Sequence, residues 1–157
     1  MSSEDPPGFE LPLRLLLGFR TLIDALHEEL ARRGYGDLRG PVHGFVLQAL
    51  GPDGATAVEL GRRLGVTKQA AAKHIEFLEA RGYVERSTDP GDARRKPVRL
   101  TARGEGALDQ SALIFEELRA GWARQLGVER LRALEADLRA VTPAAVFRLD
   151  LPGWFGG

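Results

Sequence analysis

The residues of this 157-residue chain best suited to chemistry are hydrogen-bond donors and cations rather than nucleophiles. Arg94-Arg95-Lys96 sets three cations in a row after the turn-forming run Asp89-Pro-Gly-Asp92. A guanidinium carried on such a tip can enter the narrow minor groove of A/T-rich DNA, where the negative potential is concentrated. Asp92 lies two residues before Arg94, close enough for its carboxylate to hold that guanidinium. Upstream, Thr67-Lys-Gln-Ala-Ala-Ala-Lys73 carries Gln69 and Lys73 one helical turn apart. Glutamine can bond adenine with both ends of its amide, and lysine can reach guanine acceptors or a phosphate. The small Ala70 and Ala72 let a helix lie deep in a groove, with the Ala72 methyl placed to meet a thymine methyl.

Positioning such groups takes a short helix pair and a hairpin. Thr56-Ala-Val-Glu59 fits a capping box, in which the threonine oxygen and the glutamate carboxylate each satisfy a backbone N–H of the first turn. That helix stops at Gly65, and Thr67 is a good N-cap for the next, over residues 67–81. On a helical wheel Ala71, Ile75 and Leu78 share one face, while Gln69 and Lys73 lie opposite with Glu76 and Ala80. Two helices joined by a tight glycine turn make a helix-turn-helix. Tyr83 to Ser87 and Pro97 to Leu100 then read as two strands around a Pro/Gly/Asp-rich loop, a hairpin wing over 83–100.

Charge supports this partition. The formal net charge is zero, yet Thr56 to Arg103 holds 11 basic and 6 acidic residues, and the remainder 11 basic and 16 acidic. A module of +5 therefore sits in a frame of −5. Arg62 to His74 and Arg94 to Arg103 contain no acid at all. A basic window in an acidic frame is the distribution expected of a nucleic-acid binder.

The frame is helical. Leu15, Phe19, Leu22, Leu26 and Leu30 recur at helical spacing, widened by Leu16 and Ile23, which predicts a helix from Leu11 to Arg33. A second helix opens at Pro41, with Val42, Phe45, Val46 and Ala49 on its apolar face. Thr101 caps a fifth helix through Leu108, Ala112, Phe115, Leu118 and Trp122, broken by Gly127. Leu131, Leu134, Leu138 and Val141 carry a sixth with a narrow, coiled-coil-like seam. Residues 1–10 read as a disordered N-terminus and 142–157 as a tail containing Phe147, Trp154 and Phe155. No apolar run approaches the length of a membrane helix, the acidic start is unlike a secretory signal, and cysteine is absent. These features predict a cytoplasmic protein without disulfides or a thiolate metal site, and with no membrane partner.

Other chemistries find little footing. Gly34-Tyr-Gly36-Asp-Leu-Arg-Gly40 has its third glycine one residue too late for a dinucleotide loop and follows a helix rather than a strand. No nucleophile–base pair has a recognisable context, so no enzyme activity and no cofactor are expected. His27 and His43, with Asp24 and Glu28, sketch a weak metal site; the two histidines also form a candidate effector pocket between scaffold and DNA module. His74 reads as a partly buried packing histidine.

The stretch from Thr56 to Gly104 resembles the MarR family of bacterial transcriptional regulators. The resemblance rests on Glu59-Leu-Gly-Arg-Arg-Leu-Gly-Val-Thr67, Ala71 to Gly82, Tyr83-Val-Glu-Arg86, and Asp89-Pro-Gly-Asp-Ala-Arg-Arg95 followed by Val98-Arg-Leu-Thr101. With the flanking helices it covers residues 11–141. It implies an all-α fold with a small β-hairpin wing: a winged helix-turn-helix at 38–101 and a dimerisation region at 11–35 and 102–141. It also implies a homodimer on a pseudo-palindromic double-stranded operator, a repressor relieved by a small-molecule effector. Carried over by position, Gln69 and Lys73 meet bases, Thr67 and Lys68 phosphates, and Arg94 the minor groove. Thr56, Ala72, Asp92, Arg95 and Lys96 complete the DNA-facing set. Gly61 departs from the alanine usual in a helix-turn-helix, at a cost of about 1 kcal/mol in helix propensity. The rival reading is a winged module for protein–protein contact that binds no DNA.

Overall fold

The computed structural model describes residues 5–38, 40–88 and 90–143. Its elements follow in the order α1 (Glu10–Arg32), α2 (Gly40–Leu50), α3 (Ala57–Leu64), α4 (Lys68–Ala80), β1 (Val84–Arg86), β2 (Val98–Leu100), α5 (Ala102–Leu126) and α6 (Val128–Val141). The fold is mostly helical with one two-stranded antiparallel hairpin. Phe147, Trp154 and Phe155 of the aromatic tail lie outside the described residues.

Three threonines start three helices by the same chemistry. Thr56 takes the Glu59 backbone N–H while Glu59 takes that of Thr56, the full capping box. Thr67 accepts from Ala70 and Thr101 from Gly104. Each cap is worth about 1 kcal/mol, and each sits where the chain changes direction around the hairpin and the helix pair. Gly65 ends α3 in the left-handed conformation at φ 70°, which a side chain would resist.

Two cores result. The larger joins Val46, Leu47 and Leu50 of α2, Leu60 and Leu64 of α3, Ala71, Ile75 and Leu78 of α4, and Tyr83, Val84 and Val98 of the wing. The smaller joins Ile23, Leu26 and Leu30 of α1 to Ile114 of α5. The wing pairs Val84 with Leu100, Glu85 with Arg99 and Arg86 with Val98. Ala55 adds a bridge to Val98, through N–H···O bonds of 3.0 and 2.8 Å, so the entry to α3 is stitched to the hairpin.

The predicted α1 stripe is only half used. Its C-terminal half packs on α5, but Leu11, Leu13, Leu15, Leu16 and Leu17 remain exposed in the isolated chain. Leu113 and Phe115 of α5 and Val128, Leu134 and Val141 of α6 are exposed as well. Single exposed leucines are ordinary, but here they recur on three helices, α1, α5 and α6, of one scaffold.

Candidate nucleic-acid interface

The helix α4 divides as the wheel predicts. Ala71, Ile75 and Leu78 are buried, at 1% exposure or less, and pin the helix to the module's core. Thr67, Lys68, Gln69, Lys73, Glu76 and Ala80 are exposed, and Ala72 is half-buried. The first two turns therefore offer a hydroxyl, two cations and a carboxamide to a partner, on a backbone immobilised from behind. The Thr67 hydroxyl accepts one bond from Ala70 and still has its own proton to donate. Thr56 is half-buried, its oxygen likewise engaged at the start of α3.

The turn before α4 explains Gly61. A Cβ there would lie 2.8 Å from the carbonyl oxygen of Val66 and 3.3 Å from that of Thr67. The glycine thus lets α3 approach the turn closely, a benefit set against its poor helix propensity.

The wing keeps its cations but sorts them differently from expectation. Asp92 does not hold the Arg94 guanidinium; its Oδ1 accepts the Arg94 backbone N–H at 3.0 Å. A carboxylate that short reaches a neighbouring backbone N–H more easily than the end of a long side chain, and it shapes the turn instead. Arg94 and Lys96 are exposed. Arg95 turns back to α3, where its guanidinium meets both oxygens of Glu59 at 2.9 and 3.0 Å. The Thr56 backbone N–H and the Arg95 guanidinium hold the Glu59 carboxyl below its ordinary range. Arg95 is thereby committed to anchoring the wing. On the other side, Arg86 of β1 pairs with Glu79 of α4 at 3.2 Å.

A third tie joins the wing to the chain between α1 and α2. The Tyr83 hydroxyl donates to Asp37, and Arg103 of α5 reaches Asp37 at 3.1 Å and the Tyr83 oxygen at 3.0 Å. Burial and the Asp37 carboxylate push the Tyr83 phenol up. Burial of Asp37 opposes ionisation, but the Tyr83 hydrogen bond and the Arg103 charge outweigh it and keep that carboxyl low. Neither this cluster nor the Glu59–Arg95 pair carries a local sequence signal, since each partner is distant along the chain.

Beside the module, α1, α2 and α5 enclose an apolar cavity of about 210 Å³. His27 lines it with Leu22, Phe45, Gln48 and Phe115. His43 does not join it: its ring stacks instead on Phe77 of α4. His74 is half-buried, as a packing histidine should be, with its ring edge-on to His43. Among the described residues no group of three or more His, Cys, Asp or Glu is arranged to hold a metal ion. Among the same residues no helix is long and apolar enough to cross a membrane.

Comparison with known proteins agrees with this architecture. Residues 40–95 match the MarR family model. The reduced form of MarR from E. coli superposes with a TM-score of 0.68 at 25% identity, covering 90% of this chain and 100% of that one. A MepR–DNA complex from S. aureus gives 0.63 at 23% identity, covering 80% and 90%. The LexA repressor of Deinococcus radiodurans is 33% identical over 84 residues, 52% of this chain. This chain spans only 38% of that protein's length.

Proposed function

We propose that this winged-helix chain, whose residues 40–95 match the MarR family model, is a dimeric, sequence-specific DNA-binding repressor whose operator complex is released by a small effector. The observation that carries this reading is the outer face of α4, where Lys68, Gln69 and Lys73 stand exposed over a fully buried inner face. Gln69 and Lys73 read base edges in the major groove, Thr67 and Lys68 hold phosphates, and Arg94 with Lys96 enters the minor groove. The solution of a MepR–DNA complex on a similar fold supports the same docking here.

Dimerisation is supported by the bare apolar faces of α1, α5 and α6. A second copy covering them gives two recognition helices related by a two-fold axis, which suits a pseudo-palindromic operator with half-sites about one helical turn, roughly 34 Å, apart. The cavity among α1, α2 and α5 supports the effector, because it lies where scaffold and module meet and its walls are apolar. A ligand that changes the spacing of the recognition helices needs a coupling of only about 1–3 kcal/mol to alter affinity about 5–150-fold.

The test is anisotropy titration with a labelled operator fragment selected from host DNA. Affinity should fall steeply as salt rises, because neutralising phosphates releases counterions. Binding that ignores salt, or fails across selected fragments, overturns the proposal.

A further inference from the structure

We infer that His43 is a positioning residue that holds the recognition helix to α2, and that protonating its imidazole releases this contact. The inference rests on reading α4 as the helix that meets DNA. His43 stacks on Phe77 with ring centroids 4.0 Å apart and planes inclined by 17°. The guanidinium carbon of Arg81 lies 3.5 Å from the centroid of the same ring. At these distances the two must take opposite faces, so Phe77 is clasped between an imidazole from α2 and a cation from the end of α4. His74, one turn before Phe77, meets His43 edge-on at 6.3 Å.

The place of α2 gives this contact its meaning. Phe45 and Gln48 of α2 line the apolar cavity, while His43 faces α4. The helix therefore has the cavity on one side and the recognition helix on another, and His43 joins the two.

The contact suits a neutral ring. Besides its burial, His43 is acted on by His74 of α4, Arg81 at its C-cap and His27 of α1, each a cation when charged. Burial first, then these neighbours, holds the His43 imidazole down at about 4, against an ordinary value of 6.5. A ring freed from the stack binds its proton more readily, so acid favours the separated state. Linkage then weakens the α4-held conformation by up to about tenfold for each pH unit lost between the two values.

The full chain is titrated with the selected operator fragment at pH 7.5 and pH 5, at constant ionic strength. The wild type should lose roughly tenfold in affinity at the lower pH. His43→Phe, which keeps a stacking ring but cannot bind a proton, should lose little or gain. An equal loss in both proteins, or none in the wild type, overturns the inference. A second measurement needs neither DNA nor the variant. In ¹H–¹⁵N and imidazole spectra of the wild type, His43 should titrate below the free imidazole, and the amides from His74 to Arg81 should move with the same midpoint. Amides of α4 that ignore that titration also overturn it. Coupled spectra without DNA binding would instead sustain this contact and defeat the DNA reading.

Discussion

Gly61→Ala tests the packing of the helix-turn-helix most directly, because two effects of known size oppose one another there. Alanine favours a helix interior over glycine by about 1 kcal/mol. Against this, the new methyl would sit 2.8 Å from the Val66 carbonyl oxygen, a backbone atom that cannot rotate aside. The turn would have to shift by several tenths of an ångström, and overpacking of this kind costs about 1–3 kcal/mol. The clash wins, with a net loss of about 1 kcal/mol, or about 2–4 °C in Tm for a chain of this size. Gly44→Ala is the matched control, since Gly44 also lies inside a helix but its added Cβ meets nothing within 4 Å. That variant should gain about 0.5–1 kcal/mol. Both are measured by thermal and urea unfolding at one fixed chain concentration, because self-association makes a midpoint depend on concentration. Should Gly61→Ala melt at or above the wild type, the close approach of α3 to the turn is not a constraint and the reasoning fails.

Four further outcomes follow from the geometry. Glu59→Gln removes the charge that Arg95 anchors to and weakens the cap on α3. It should cost about 1 kcal/mol of stability and speed amide exchange around Arg95; unchanged exchange there would deny the tether. Gln69→Ala should lose about 1–3 kcal/mol of discrimination at a single base pair, seen by titrating single-base operator variants; a uniform loss on all sequences would refute base reading. Tyr83→Phe leaves Asp37 with one partner fewer and should lower the urea midpoint by the equivalent of about 1–3 kcal/mol, with a wild-type midpoint as the contrary result. Burial lowers His74, and burial with neighbouring cations lowers His43, so folding favours their neutral rings. Their contribution is whole above pH 6.5 and is lost as acid charges them. The low carboxyls of Asp37 and Glu59 add a further loss at more acid pH. Urea midpoints should fall steadily from pH 7 to pH 4, and a rise would contradict this sign.

Much of the architecture could be read in the chain because its signals are local. Thr56, Thr67 and Thr101 announce their helices within four residues, and the burial of Ala71, Ile75 and Leu78 follows from helical spacing alone. The outer face of α4 was legible for the same reason. The ties that orient the module were not, since they join residues far apart. Glu59 shows itself as a capping residue, but its second partner lies 36 residues on, in the wing. Tyr83 and Asp37 are 46 residues apart. His43 could be placed on α2 by spacing, but which side it faced depended on how α2 leans on α4. Gly61 looked like a defect because helix propensity is visible in sequence and the proximity of a backbone oxygen is not.

The single carboxylate of Glu59 serves two masters, the first turn of α3 and the guanidinium of Arg95. This makes the wing a poor unit of exchange. A hairpin transplanted from a similar winged helix would arrive without its mooring unless the acid at the start of α3 travelled with it. A substitution made to improve that helix start would slacken the hairpin 36 residues away. Recombination and protein engineering should therefore move the segment from Thr56 to Val98 as one cassette, because the smallest transferable piece of this winged module is larger than either its helix or its wing.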